Sequence, residues 1–121
     1  MAKILVVDDE QAVCDMLKKF LQRKGHEALI ALSGEEALKI VKEEKPDVIL
    51  LDLIMPNMDG VETLKRIKKI DKRVGVVVIT AIRGEDTAKE CMRLGAFDYI
   101  TKPLSLDYLE SVLAVKLLDF L

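Results

Sequence analysis

The sequence has few of the side chains that bind zinc or form disulfide frameworks. Its 121 residues include one histidine and two cysteines, which together are too few for the four ligands of a structural zinc site. Cys14 and Cys91 lie inside predicted helices, among apolar neighbours and without CxxC spacing. We therefore interpret them as reduced core residues. His26 follows Gly25, which is predicted to end a helix, and we interpret it as a surface residue rather than a ligand.

Membrane segments and basic stripes are also lacking. No apolar run approaches the roughly 20 residues of a membrane span, and the start "MAKILVVDD" lacks the long apolar stretch and cleavage site of a signal peptide. We therefore expect a cytoplasmic protein without membrane contact. The net charge of −2 argues against a nucleic-acid surface, which would show a basic stripe, so we expect no direct nucleic-acid binding.

The residues that are present predict one α/β domain over residues 1–121. Hydrophobic residues make up 50% and charged residues 33% of the chain, as in globular proteins. Short, mostly aliphatic runs alternate five times with amphipathic helical patterns. The predicted strands are 3–8, 27–32, 47–52, 74–80 and 97–101. Five such units with short connections imply a parallel sheet with helices on both faces.

Local signals mark several helix ends. Ser33 and Glu36 form a predicted capping box for the second helix. Asp59 is a predicted N-cap of the third helix. The last helix begins near Ser105 and is predicted to run to the end of the chain.

Polar residues follow four of the five predicted strands. Asp8 and Asp9 end the first strand, Asp52 ends the third, Thr80 ends the fourth, and Lys102 follows the fifth. Ligands of open parallel sheets bind outside the carboxyl ends of the strands, where the strand order reverses. These five side chains are therefore predicted to face one crevice, although "LVVDDE" alone would fit a strand that runs into a solvated acidic loop.

Three carboxylates in one crevice repel each other, and a divalent cation would relieve the repulsion. Mg²⁺ fits best because it takes carboxylate and carbonyl oxygens and often bridges to a phosphate, whereas zinc would require histidine or cysteine here. A metal-bound carboxylate cluster with one lysine and one hydroxyl suits phosphoryl transfer, in which an aspartate attacks phosphorus and nearby cations neutralise the oxygens.

These motifs together resemble the receiver domain of bacterial two-component response regulators, over the whole chain. The matching residues are Asp8-Asp9, Asp52, Met55-Pro56, Asp59-Gly60, Thr80-Ala81 and Lys102-Pro103. The chain resembles in particular the receivers of enhancer-binding transcription activators and single-domain phosphorelay intermediates. The resemblance implies a flavodoxin-like, doubly wound (βα)5 sandwich of three layers with strand order 2-1-3-4-5.

The resemblance also implies the roles of the acidic residues. Asp52 would be the phosphoacceptor and a metal ligand, with the phosphoryl group coming from a sensor histidine kinase or a histidine phosphotransferase. Asp9 would bind Mg²⁺ directly, Asp8 largely through water, and the backbone carbonyl of Ile54 would be a further ligand.

The remaining positions would carry the switch. Lys102 would pair with the phosphoryl oxygens, and Thr80 would move to hydrogen-bond the phosphate. Tyr99 would then rotate inward into the vacated space. The family pattern also predicts a cis peptide before Pro103.

Three other functions share parts of this pattern. They are those of a flavodoxin-like flavin binder, a pseudo-receiver that cannot be phosphorylated, and a small Mg²⁺-dependent phosphatase with an aspartyl-phosphate intermediate. "DDEQ" would repel a flavin phosphate, and the complete Asp/Asp/Asp/Thr/Lys set argues against the pseudo-receiver. The phosphatase would require a DxD motif after the first strand, where this chain has "DDE". As a receiver, the chain would catalyse its own phosphorylation and slow dephosphorylation without being a free-standing enzyme.

The end of the chain carries more apolar residues than one helix face can bury. The last helix has one broad apolar face, and Leu118 and Leu121, which lie off this face, are apolar too. The members of the face are Leu106, Leu109, Val112, Leu113, Leu117 and Phe120. This surplus favours either a homodimer surface or an output domain that follows in a longer regulator.

Overall fold

The computed structural model describes residues 2–120, except for the side chain of Phe120, as five parallel strands that alternate with five α-helices. The strands are β1 (Lys3–Val7), β2 (Glu27–Ala31), β3 (Val48–Leu51), β4 (Gly75–Thr80) and β5 (Asp98–Thr101). The helices are α1 (Gln11–Arg23), α2 (Gly34–Glu44), α3 (Gly60–Ile70), α4 (Glu85–Arg93) and α5 (Leu106–Leu117), followed by a 3₁₀ turn at Leu118–Phe120.

The sheet has the order β2-β1-β3-β4-β5, as predicted. All of its described pairs are parallel. The order reverses at β1, which is paired with β2 on one side and β3 on the other. The carboxyl ends of β1 and β3 therefore border the crevice in which doubly wound folds bind ligands.

Alternate residues of the central strands enter two separate cores. Ile4 and Val6 of β1 pack in the core covered by α1 and α5, whereas Leu5 and Val7 pack in the core covered by α2, α3 and α4. β3 and β4 are buried at every position. Because both faces of these strands are covered, their sequences are continuous aliphatic runs rather than alternating ones.

Most of the predicted boundaries and core assignments are confirmed. The Oγ of Ser33 accepts a hydrogen bond from the amide of Glu36, and Oδ1 of Asp59 accepts one from the amide of Val61. The Lys102–Pro103 peptide is cis. The free cysteines Cys14 and Cys91 are buried, as expected.

Two predictions need correction. His26 is half-buried rather than a surface residue. Its Nδ1 accepts a hydrogen bond from the amide of Ala2, which holds the ring against the residue before β1. The last α-helix does not continue to the end of the chain but ends at Leu117. Leu121 and the side chain of Phe120 lie outside the described residues, and Leu118 is 61% exposed.

Among residues 2–120, no helix is both long enough and apolar enough to cross a bilayer.

The start of α3 packs directly on the backbone that follows β3. A Cβ at Gly60 would lie 2.2 Å from the Cα of Leu53 and 2.5 Å from its carbonyl oxygen. The amide of Gly60 also donates a hydrogen bond to this carbonyl. Glycine at position 60 therefore allows α3 to press against the residue next to Asp52.

We expect Gly60→Ala to lower the free energy of unfolding by about 1–3 kcal/mol or more, because the contact is with rigid backbone. Urea denaturation measures this loss. Gly25→Asn is the control: Gly25 has a φ of +87° but no neighbouring atom within 4 Å of its Cβ position, and asparagine tolerates that conformation. Equal losses in the two variants would contradict the packing argument.

Candidate functional site

The polar residues at the strand ends are held by the hydrogen-bond ladder of the sheet. The amide of Asp8 donates to the carbonyl of Ala31, and the amide of Asp52 donates to that of Val7. On the other side of the site, the amide of Lys102 donates to the carbonyl of Thr80. Each backbone is thereby fixed to the neighbouring strand, one residue beyond the strand's end.

Three predicted site residues form a carboxylate cluster. Oxygens of Asp8, Asp9 and Asp52 all lie within 4.8 Å of one another. Asp8 and Asp52 are buried, at 3% and 5% exposure, whereas Asp9 is exposed. The cluster therefore has a buried floor and an open, solvent-facing side.

Lys102 joins the two buried carboxylates. Its Nζ lies 3.0 Å from Oδ2 of Asp8 and 3.0 Å from Oδ2 of Asp52. Lys102 is predicted to lie in the crevice as a partner for a phosphoryl group. The structure adds that the same ammonium bridges the carboxylates of Asp8 and Asp52.

The second oxygen of each buried carboxylate accepts a backbone hydrogen bond. Oδ1 of Asp8 accepts from the amide of Glu10 at 2.9 Å, and Oδ1 of Asp52 accepts from the amide of Ile54 at 3.0 Å. Sequence analysis missed these amides, although an aspartate at a strand end commonly accepts a bond from the amide two residues later. These bonds fix the carboxylates so that Oδ2 of each faces Lys102.

The electrostatics of the site reflect burial and crowding. Burial raises the pKa of Asp8 above its usual 3.8, and the Asp52 charge adds to the rise, although the amide of Glu10 and the ammonium of Lys102 oppose it. Burial alone would lower the pKa of Lys102, but its bonds to Asp52 and Asp8 outweigh that effect and raise it. Lys102 therefore stays charged at neutral pH.

The oxygen cluster fits a hard divalent cation. Octahedral Mg²⁺ holds its ligands at about 2.1 Å, so no two of them lie more than about 4.2 Å apart. The 4.8 Å limit of the Asp8, Asp9 and Asp52 oxygens is close to this value. A small side-chain shift, or a water between Asp8 and the ion, would close the difference.

Thr80 and Tyr99 are linked through Ile82. Thr80 is completely buried, and its Oγ1 accepts a hydrogen bond from the amide of Ile82 at 3.4 Å. The hydroxyl of Tyr99 donates to the carbonyl of Ile82 at 2.8 Å. The resemblance implies that Tyr99 moves inward after phosphorylation, but here its half-buried ring already lies against this segment.

Comparison with known proteins gives the family. Residues 4–114 match the model of the response regulator receiver domain. The chain is 40% identical over 105 residues to sporulation initiation phosphotransferase F of Bacillus subtilis, which covers 87% of this chain and 85% of that protein. It is 41% identical over 110 residues to the transcriptional regulatory protein ZraR of Escherichia coli, covering 91% of this chain but only 25% of ZraR.

Solved structures agree with the sequence relatives. A two-component response regulator from Clostridium difficile superposes with a TM-score of 0.93 at 31% identity, over 97% of this chain and 96% of that one. The shared fold, the acidic crevice and the matched residues lead to one conclusion: this chain belongs to the response regulator receiver domain family.

Proposed function

We propose that this chain, over residues 1–121, is a phosphorylatable switch that accepts a phosphoryl group on Asp52 in a Mg²⁺-dependent reaction. The observation that carries the proposal is the cluster of three carboxylates within 4.8 Å, with Lys102 at 3.0 Å from two of them. The donor is a phosphohistidine on a sensor histidine kinase or histidine phosphotransferase. Such partners act in the cytoplasm, where we expect this protein.

In the proposed transfer, an Oδ atom of Asp52 attacks the phosphorus of the phosphohistidine. The new O–P bond forms as the N–P bond breaks, and the imidazole leaves with the electron pair and takes a proton from solvent. The ammonium of Lys102 neutralises charge on the transferred oxygens. Mg²⁺, held by Asp8, Asp9, Asp52 and the carbonyl of Ile54, would supply further positive charge.

The switch follows from competition for Lys102 and Thr80. An acyl phosphate carries up to about two negative charges, where the free carboxylate carries one. The extra charge and the new oxygens attract Lys102 away from Asp8 and the Thr80 hydroxyl away from the amide of Ile82. Because Ile82 also holds the hydroxyl of Tyr99, this rearrangement reaches β5. Phosphorylation is therefore expected to shift populations on the surface formed by α4, β5 and α5.

The phosphodonor would dock beside the crevice, on α1 and the loop after β5. An apolar cavity of about 180 Å³ lies there between α1 and Pro103–Leu104, next to Asp8 and Lys102. Met16 at its rim is 43% exposed. Apolar side chains at this rim would pack against the donor protein.

Output requires a partner outside the acidic crevice. Homologues such as ZraR have a longer chain, of which this sequence spans a quarter, whereas it spans 85% of sporulation initiation phosphotransferase F. A C-terminal output domain, a homodimer or a relay partner would read the switch, and this domain itself would make no direct contact with nucleic acid.

We expect Mg²⁺ to raise the melting temperature because it relieves repulsion among the carboxylates. At ten times Kd the gain is about 1.4 kcal/mol. Asp9→Ala should abolish this shift, which differential scanning calorimetry measures at increasing Mg²⁺ concentrations. Glu10→Ala is the matched control, since it removes a neighbouring exposed charge but leaves the Glu10 amide on Asp8. An unchanged shift in Asp9→Ala would place the metal elsewhere.

Incubation with acetyl phosphate and Mg²⁺ should add one phosphoryl group, seen by intact-protein mass spectrometry and removed by hydroxylamine. Asp52→Asn should prevent the adduct because the attacking oxygen is lost, whereas Asp86→Asn, an exposed acid of α4, should not. Continuous release of phosphate from simple phosphate esters would instead support the phosphatase alternative.

We also expect slow loss of the phosphoryl group. Ile54 and Ile82, two residues after Asp52 and Thr80, would flank the path of the attacking water, and neither side chain can hydrogen-bond it. Ile54→Asn combined with Ile82→Glu should accelerate first-order decay of the phosphorylated protein in excess Mg²⁺. A wild-type half-life of seconds, or a double variant no faster than wild type, would contradict this expectation.

A further inference from the structure

A basic cluster lies at the pole of the sheet opposite the carboxylate cluster. Six of the nine residues 65–73 are lysine or arginine, and one is acidic. This run covers the end of α3 and the turn into β4. The net charge of −2 over the whole chain gives no sign of this cluster. The proposed phosphorylation chemistry does not use it.

The cluster forms a concave pocket of about 450 Å³ rather than a flat charged face. Four cations from two separate parts of the chain line it together with a single carboxylate: Lys68, Lys72, Arg73, Lys116 and Asp119. Its volume lies within the range of roughly 300–1,000 Å³ that is typical of small-molecule sites.

Two of the four cations are held in place by their surroundings. Nζ of Lys68 donates to the carbonyls of Val74 at 2.6 Å and Lys72 at 3.3 Å. The stem of Lys116 lies over Gly75, where a Cβ would approach it to 2.5 Å, and its Nζ is 5.2 Å from the centre of the Phe97 ring. The two ammonium groups are thus oriented before any ligand arrives.

The positive charges of the pocket are only partly compensated. Lys116 pairs with Asp119 at 2.9 Å, but across residues 2–120 Lys68, Lys72 and Arg73 form no ion pair. The nearby Asp71 is engaged in the turn, where its Oδ1 accepts from the amide of Arg73. Burial lowers the pKa of Lys68, and the charge of Lys116 lowers it further, so the cations repel each other.

A helix C-terminus alone would favour lysine in the last turn of α3. It would equally favour Lys116 in the last turn of α5, but it would not account for Lys72 and Arg73, which lie beyond α3 and line the same pocket. We infer that this pocket, which we call the basic pole pocket (Lys68, Lys72, Arg73, Lys116 and Asp119), binds a chain of two or more phosphate groups. Several negative charges in a compact ligand would match the excess of cations, and the ligand would displace Asp119 from Lys116.

The phosphate chain has two possible sources, free polyphosphate and a nucleoside triphosphate. Isothermal titration calorimetry with sodium tripolyphosphate and with ATP, both without Mg²⁺, measures the affinity for each. Similar affinities would assign the site to the phosphate chain alone, and tighter binding of ATP would assign it to a nucleotide. The proposal would be overturned if neither tripolyphosphate nor ATP bound, or if ATP bound and tripolyphosphate did not. Tighter binding of duplex DNA than of either ligand would also overturn it.

The variants test the pocket itself. Lys116→Gln should weaken tripolyphosphate binding about tenfold, since it removes a charged hydrogen-bond donor. The double variant Lys72→Gln with Arg73→Gln should also weaken binding, and it leaves intact the bonds that Lys68 makes to backbone carbonyls. Lys69→Gln is the matched control on the exposed side of α3. Asp119→Asn should tighten binding about two- to fivefold, because the competing carboxylate is lost.

Amide shifts of the ¹⁵N-labelled chain locate the ligand independently of these affinities. Tripolyphosphate is expected to move the amides of residues 68–76 and 116. Shifts centred on Asp8 and Asp52, a loss in Lys69→Gln equal to that in Lys116→Gln, or weaker binding in Asp119→Asn would each overturn the assignment.

Discussion

The contact on which the site depends is the double ion pair of Lys102 with Asp8 and Asp52. Two carboxylates about 4 Å apart repel by roughly 4 kcal/mol at an effective dielectric of 20, and both are buried here. The compensating ammonium comes from the far side of the sheet, 94 and 50 residues away in the chain. These ion pairs connect the loop after β5 to the ends of β1 and β3. A change of charge at Asp52 therefore changes the electrostatic force on Lys102, which directly follows β5.

In the proposed function, the same cluster would serve both folding and signalling. Lys102 and the amides of Glu10 and Ile54 satisfy the buried carboxylates. In the proposed function, a metal ion or an acyl phosphate would offer stronger partners to the same atoms and so redistribute these bonds. Thr80 is in a similar position, because its hydroxyl oxygen accepts a long hydrogen bond, of 3.4 Å, from the amide of Ile82. Such weakly held groups suit a population shift, which requires two states of similar free energy.

The sequence predicts the fold and the convergence of Asp8, Asp9, Asp52 and Lys102 because both depend on strand ends. Aliphatic runs locate the strands, and a parallel sheet brings their carboxyl ends together whatever the side chains are. Bonds that depend on rotamers could not be predicted in this way. The double contact of Lys102, the bond between Tyr99 and Ile82, and the bond from Ala2 to His26 depend on how distant segments pack. The end of α5 was predicted too late because its apolar pattern continues past Leu117, where the backbone tightens into a 3₁₀ turn.

The net charge of the sequence did not indicate that acidic and basic residues gather at opposite ends of the sheet. The topology of the fold explains this separation. In a parallel sheet of this kind, every crossover helix begins near the carboxyl ends of the strands and ends near their amino ends. Lysines favoured by helix C-termini therefore collect at one pole, and the aspartates of the strand ends collect at the other. The net charge of −2, which sums 19 basic and 21 acidic residues over the whole chain, shows neither group. Lys116 is one of these lysines, since it lies in the last turn of α5, and its stem packs over Gly75 at the start of β4.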